Sequence, residues 1–143
     1  MYFDDLKLGM SVEIAPAVIE KQKMMEFACT YDNIPLHTDE EYAKASPFGQ
    51  LIAPGVMSFM SVWARYLEVD FFGKELLAGK STKIEWHKPV YANDVLRGRA
   101  EITNLVKRNA RNGLVEVTIE ACNQKGERVL SNVTEAIVKC REL

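Results

Sequence analysis

The chain has 143 residues, 27% of them charged and 48% hydrophobic, with a formal net charge of −2. That balance excludes disordered, collagen-like and coiled-coil classes and leaves one globular domain over residues 1–143, because domains of about 100–150 residues hold a core of their own. Near-neutral charge offers no basic footprint for nucleic acid, and no uncharged apolar run approaches the roughly 18 residues that would span a membrane.

In chain order, Ser11 to Ile19 is apolar and β-branched with Pro16 inside it, which predicts a short edge strand. Met24, Phe27, Ala28 and Tyr31 then recur at helical spacing. Pro35 ends helical character near Asn33-Ile34, since the residue before a proline is pushed out of the helical region. Thr38-x-x-Glu41 has the form of a capping box opening a short helix to about Ala45, and Ser46-Pro47-Phe48-Gly49 stops it. From Gly55 to about Val69 apolar residues cover most of the helical circumference, which predicts a buried central helix.

After Gly79 the period changes from 3.6 to 2. Lys83–His87, then Leu96, Gly98, Ala100 and Ile102, then Val115, Val117, Ile119 and Ala121 all alternate, while Arg128 to Lys139 alternates less cleanly. Turn sequences at Tyr91–Asp94, Asn109–Gly113 and Gln124–Glu127 separate these runs, so they pair antiparallel. The expected class is α+β: an antiparallel sheet of at least four strands wrapped around one helix.

Cys29, Cys122 and Cys140 stand far apart with no CxxC pair. They argue against a disulfide framework or a zinc site and for a reducing compartment. The opening Met1-Tyr2-Phe3-Asp4-Asp5 lacks the basic and apolar stretches of a secretory signal, so a cytoplasmic location is expected.

Only His37 and His87 supply imidazoles. Asp32 and His37 share a loop pinned by Pro35, and an acid beside an imidazole can hold a water and move its protons either way. The same residues also fit a plainer reading, with Asp32 capping a turn and His37 an ordinary loop histidine. Gly55 begins the central helix, where the first N–H groups lack internal acceptors and the dipole is positive. A carbonyl oxygen can approach that backbone because no Cβ stands in the way. Ala53-Pro54-Gly55 would equally serve simply to turn the chain into the helix.

Together these residues resemble the MaoC-like dehydratases, the R-specific enoyl-CoA hydratase branch of the hotdog superfamily. Asp32, Pro35 and His37 stand at the Asp, Pro and His of that family's Asp-x-Asn-Pro-x-His motif. Ala43, Phe48-Gly49 and Ala53-Pro54-Gly55 follow in order, and Pro89-Val90-Tyr91-Ala92-Asn93-Asp94-Val95-Leu96 is similar to its Pro-Val-x-x-Gly-Asp-x-Leu segment. Three positions depart: Ile34 for the motif's asparagine, Tyr31 for a glycine, and Pro54 for a frequent histidine.

The resemblance implies a hotdog fold and hydration of a trans-2-enoyl thioester. Asp32 and His37 would be the acid–base pair, and the Gly55 N–H would polarise the thioester carbonyl. Pro35, Phe48, Ser58, Trp86 and Pro89 would contact substrate. It implies no cofactor and no metal, a substrate carried on coenzyme A or acyl carrier protein, and a homodimer or higher homo-oligomer. Two other readings stay open: an acyl-CoA thioesterase on the same fold, or a non-catalytic subunit that only binds acyl thioesters. His87 is expected to be structural or to line a substrate tunnel. Ser58 and Ser61 would hydrogen-bond either the catalytic loop or their own helix. Lys107, Arg108 and Arg111 form a hairpin cluster that is either solvated or meets phosphates. Phe71-Phe72 is either an exposed patch or a lid over an acyl tail.

Overall fold

A computed structural model describes residues 1–142. The chain runs through strand β1 (Ser11–Val18), helices α1 (Lys21–Tyr31), α2 (Pro35–Thr38), α3 (Glu40–Ala45) and α4 (Gly55–Glu68), and then strands β2 (Leu76–Trp86), β3 (Val95–Lys107), β4 (Asn112–Cys122) and β5 (Arg128–Lys139). The strands form one antiparallel sheet in the order β1-β3-β4-β5-β2. This is the expected hotdog architecture, a sheet curled around α4. β1 is indeed an edge strand, and its pairing with β3 shifts register between Ile14 and Ala17, where Pro16 has no N–H for the ladder.

The inward rows of β3, β4 and β5 set the core. Leu96, Ala100 and Ile102, then Val115, Val117, Ile119 and Ala121, then Leu130 and Val138 are buried against Met57, Phe59 and Val62 of α4. Gly98 lets the helix come close: a Cβ there would lie 3.2 Å from Ile14 and 3.4 Å from Val62. The irregular pattern of β5 has a physical cause, because its inward positions include Asn132 and Thr134, both buried. Asn132 Nδ2 donates to Thr82 Oγ1 (2.7 Å), and Thr134 Oγ1 donates to Asn132 Oδ1 (2.7 Å). With Thr82 and Thr134 oxygens 2.9 Å apart, Thr82 donates to Thr134 and the three side chains close a ring.

Several expectations change. α4 is not buried all round: Val56, Met60 and Leu67 lie along one half-exposed stripe, because the sheet of a single chain covers only the opposite side. β2 starts at Leu76, before the alternating run, and almost all of it is exposed. Thr38 is not the cap of α3. Asp39 is, accepting from the Tyr42 N–H at 3.1 Å, while Thr38 Oγ1 donates to the Ile34 carbonyl. His37 lies in α2, a turn of helix with Pro35 at its first position, rather than in a loop. The three cysteines are free thiols, and among the described residues no helix is long and apolar enough to cross a membrane.

Candidate active site

α1 ends where Asp32, at its C-cap, leaves the helical region. Two residues later Ile34 is extended, and Pro35 restarts the chain as α2. This break between two short helices turns the Asp32 carboxylate back over His37. Oδ2 of Asp32 lies 3.3 Å from Nε2 of His37.

The imidazole is held from its other side. Nδ1 lies 2.7 Å from the Ile52 carbonyl oxygen, to which it donates. That carbonyl is itself fixed: Ile52 N–H donates to Leu36, Ala53 N–H donates to Val90, and Ile52 bridges to Tyr91. With the proton on Nδ1, the Nε2 lone pair of neutral His37 faces Asp32. At this distance the two side chains contact each other directly, and a water at the open side of the pair can touch both. His37 is buried while the Asp32 side chain is 45% exposed, so the pair opens on one side only.

It opens into a cavity of about 480 Å³. Asp32, His37, Phe48, Gly55, Ser58, Trp86 and Pro89 all line it, which places seven of the eight predicted site residues on one space. Pro35 is the eighth; it is exposed, lies outside the lining and stands at the first position of α2. Gly55 is the first residue of α4 and its N–H has no acceptor among the described residues. The indole of Trp86 lies against it: a Cβ at Gly55 would sit 2.7 Å from Nε1 and 2.8 Å from Cζ2.

Ser58 is buried, and its Oγ donates to the Gly55 carbonyl at 2.7 Å; Ser61 Oγ donates to Met57 at 2.9 Å. Both hydroxyls therefore serve their own helix, Ser58 while bordering the cavity. His87 is among the residues lining this cavity, and its Nε2 lies 2.9 Å from Ser131 Oγ. Beside it Lys88 pairs with Glu127, and the hydrogen bond from Lys88 holds the Glu127 carboxyl below its ordinary range. The Ile52 carbonyl was not foreseen, since a backbone acceptor leaves no mark in a sequence.

Two other features lie elsewhere. The Lys107–Arg111 hairpin pairs toward the Leu76 end of β2, and ten residues of strand, about 33 Å, separate it from Trp86. Phe72 is buried rather than an exposed patch, and with Phe71 it walls a separate cavity. Among the described residues no three His, Cys, Asp or Glu come together as a metal site.

A family model for the MaoC like domain matches residues 5–125. A crystal structure titled as a monoamine oxidase regulatory protein from Archaeoglobus fulgidus superposes with a TM-score of 0.94 at 27% identity, covering 99% of this chain and 96% of that one. A MaoC-like dehydratase from Rhodospirillum rubrum superposes with a TM-score of 0.85 at 26% identity, covering 100% and 99%. A 3-hydroxybutyryl-CoA dehydratase from Methylorubrum extorquens is 29% identical over 140 residues, 97% of this chain and 83% of that protein.

Proposed function

The chain belongs to the MaoC-like domain family, and we propose that it is a hydro-lyase: an R-specific enoyl-CoA hydratase, or 3-hydroxyacyl-thioester dehydratase in reverse. One observation carries this reading. The Asp32 carboxylate and the Nε2 of a buried, backbone-anchored His37 face each other at 3.3 Å on the wall of the cavity that Gly55 also lines.

In the hydration direction, Asp32 and His37 together bind a water at the open side of the pair. The thioester carbonyl accepts from the Gly55 N–H, aided by the positive end of α4. Water oxygen bonds to C3 as one of its protons passes to the pair. The electrons of the C2–C3 double bond move toward C2 and the carbonyl, and the pair returns a proton to C2. Water is consumed and the pair ends as it began. The Nδ1–H donated to Ile52 keeps the ring oriented and stabilises it while Nε2 carries the proton.

Phe48, Trp86 and Pro89 are the acyl-side wall in this reading, and Ser58 holds the first turn of α4 in place. The substrate is a thioester of coenzyme A or acyl carrier protein, and no cofactor is called on. The relative named for 3-hydroxybutyryl-CoA supports this substrate class. We propose a cytoplasmic homodimer. The free thiols fit that compartment, and the exposed β2 edge and the Val56–Met60–Leu67 stripe are surfaces that a second copy would cover.

Crotonyl-CoA tests the reaction. Hydration removes the enoyl absorbance without releasing thiol. Release of free thiol would instead mean a thioesterase, and no turnover of short or medium chains at micromolar enzyme would mean a subunit that only binds.

A further inference from the structure

Trp86 ends β2 and meets Gly55 at the entrance of α4. A Cβ at Gly55 would lie 2.4 Å from Cε2 of the indole, 2.7 Å from Nε1 and 2.8 Å from Cζ2. Cε2 is nearer than the two ring atoms bonded to it, so Gly55 sits over the indole face. An approach along the ring edge would reverse that order. The Nε1–H lies in the ring plane and is therefore not spent on the Gly55 backbone.

The chain around these two residues holds them together. Trp86 pairs with Leu130 of β5, and the next N–H, that of His87, donates to the Val129 carbonyl at 2.8 Å. On the helix side the Ala53 N–H, two residues before Gly55, donates to the Val90 carbonyl at 2.7 Å. The other side-chain donors on the cavity wall are engaged. His37 donates to Ile52 and Ser58 to Gly55, Lys88 pairs with Glu127, and His87 Nε2 lies beside Ser131. The Trp86 indole N–H has no acceptor among the described residues, and Trp86 lines the same cavity as the Asp32–His37 pair.

A Cβ stands about 2.5 Å from its own backbone nitrogen, so Nε1 lies within about 5.2 Å of the Gly55 nitrogen. Two N–H groups each about 2.9 Å from one oxygen can stand up to about 5.8 Å apart. A single oxygen can therefore accept from both. An indole N–H is a donor only, which suits an oxygen that gains negative charge during reaction.

We propose that the Trp86 Nε1–H is a second donor to the thioester carbonyl oxygen, forming a two-donor oxyanion site with the Gly55 N–H. The identity of that oxygen rests on the hydratase reading. Trp86 is then a catalytic residue as well as a wall of the cavity.

The chain has two tryptophans, so two indole N–H signals appear in the heteronuclear NMR spectrum, and Trp86→Phe identifies the one in question. Butyryl-CoA, a saturated thioester that cannot be hydrated, is expected to move that signal downfield. Coenzyme A without an acyl group should leave it in place. Trp86→Phe keeps a ring over Gly55 and removes the N–H. In the hydration of crotonyl-CoA it should lower kcat about 10²-fold, the cost of one oxyanion donor, with KM changed far less. Circular dichroism checks that the variant is folded. A Trp86 signal that stays in place in millimolar butyryl-CoA, or a Trp86→Phe enzyme with kcat within about two-fold of the parent, overturns the proposal. An inactive wild type whose signal still moves refutes only the hydratase reading and leaves the contact with the thioester standing.

Discussion

Replacing Gly55 by alanine tests the geometry of the helix entrance. The added methyl would stand 2.7 Å from Trp86 Nε1, where ordinary contact begins at 3.4 Å, so the indole must retreat. Trp86 is the last residue of β2 and 47% exposed, which leaves it room to swing outward. Alanine's helix propensity favours the change by up to about 1 kcal/mol, and overpacking opposes it by about 1–3 kcal/mol. The net is a folded protein, marginally less stable. Activity should suffer more. The displaced indole is a wall of the cavity and the methyl crowds the N–H offered to the thioester carbonyl, and an ångström of misplacement costs on the order of 10²-fold. Steady-state hydration of crotonyl-CoA, with thermal unfolding alongside, reads both effects. Adding Trp86→Ala should recover stability but not kcat/KM. A Gly55→Ala enzyme within about two-fold of the parent would refute the role given to this N–H.

Asn132→Leu opens the Thr82–Asn132–Thr134 ring and removes the hydrogen bonds Asn132 makes to Thr82, Thr134 and the Lys83 carbonyl, and should cost about 1–3 kcal/mol in chemical denaturation. Tyr66 makes stability fall in alkali: its folded pKa is raised, so its contribution is whole below the ordinary value of 10 and is lost as pH rises toward about 12. Tyr66→Phe should flatten the unfolding free energy over that window. Arg141 hydrogen-bonds Asp5 and holds its carboxyl below the ordinary 3.8, so this tether between the chain ends contributes above that pH and is lost as acid protonates Asp5. Wild type and Arg141→Ala should therefore converge in melting temperature at low pH. Sedimentation at micromolar concentration should show a dimer or larger, and Met60→Asp on the exposed face of α4 should dissociate it; a wild type that is monomeric there would contradict the proposed assembly.

What was readable in the residues, and what was not, follows from where each signal resides. β3 and β4 were plain because one face of each is buried and the other is not, so apolar residues recur every second position. β2 blurred because an exposed edge strand has no reason to alternate. α4 reads as buried on all sides because nearly all its residues are apolar, yet Val56, Met60 and Leu67 are exposed along one stripe, the face that the proposed second copy would cover. At the site, Asp32, His37 and Gly55 were legible through their side-chain chemistry, or the lack of a side chain. What orients His37 is the Ile52 carbonyl, fifteen residues on, and a backbone oxygen is the same in every residue. Pro35 is conspicuous in the residues as part of the motif, and its fixed φ suits the start of α2, a role that no side-chain chemistry signals.

The central claim is that Asp32 and His37 act as one acid–base pair on water. Its most direct test compares wild type, Asp32→Asn and His37→Ala in the hydration of crotonyl-CoA, with circular dichroism confirming that all three are folded. Each substitution should lower kcat/KM by about 10²–10⁴-fold, and since the two groups serve one proton transfer the double variant should be little worse than either alone. Variants that hydrate the substrate as fast as wild type would contradict it.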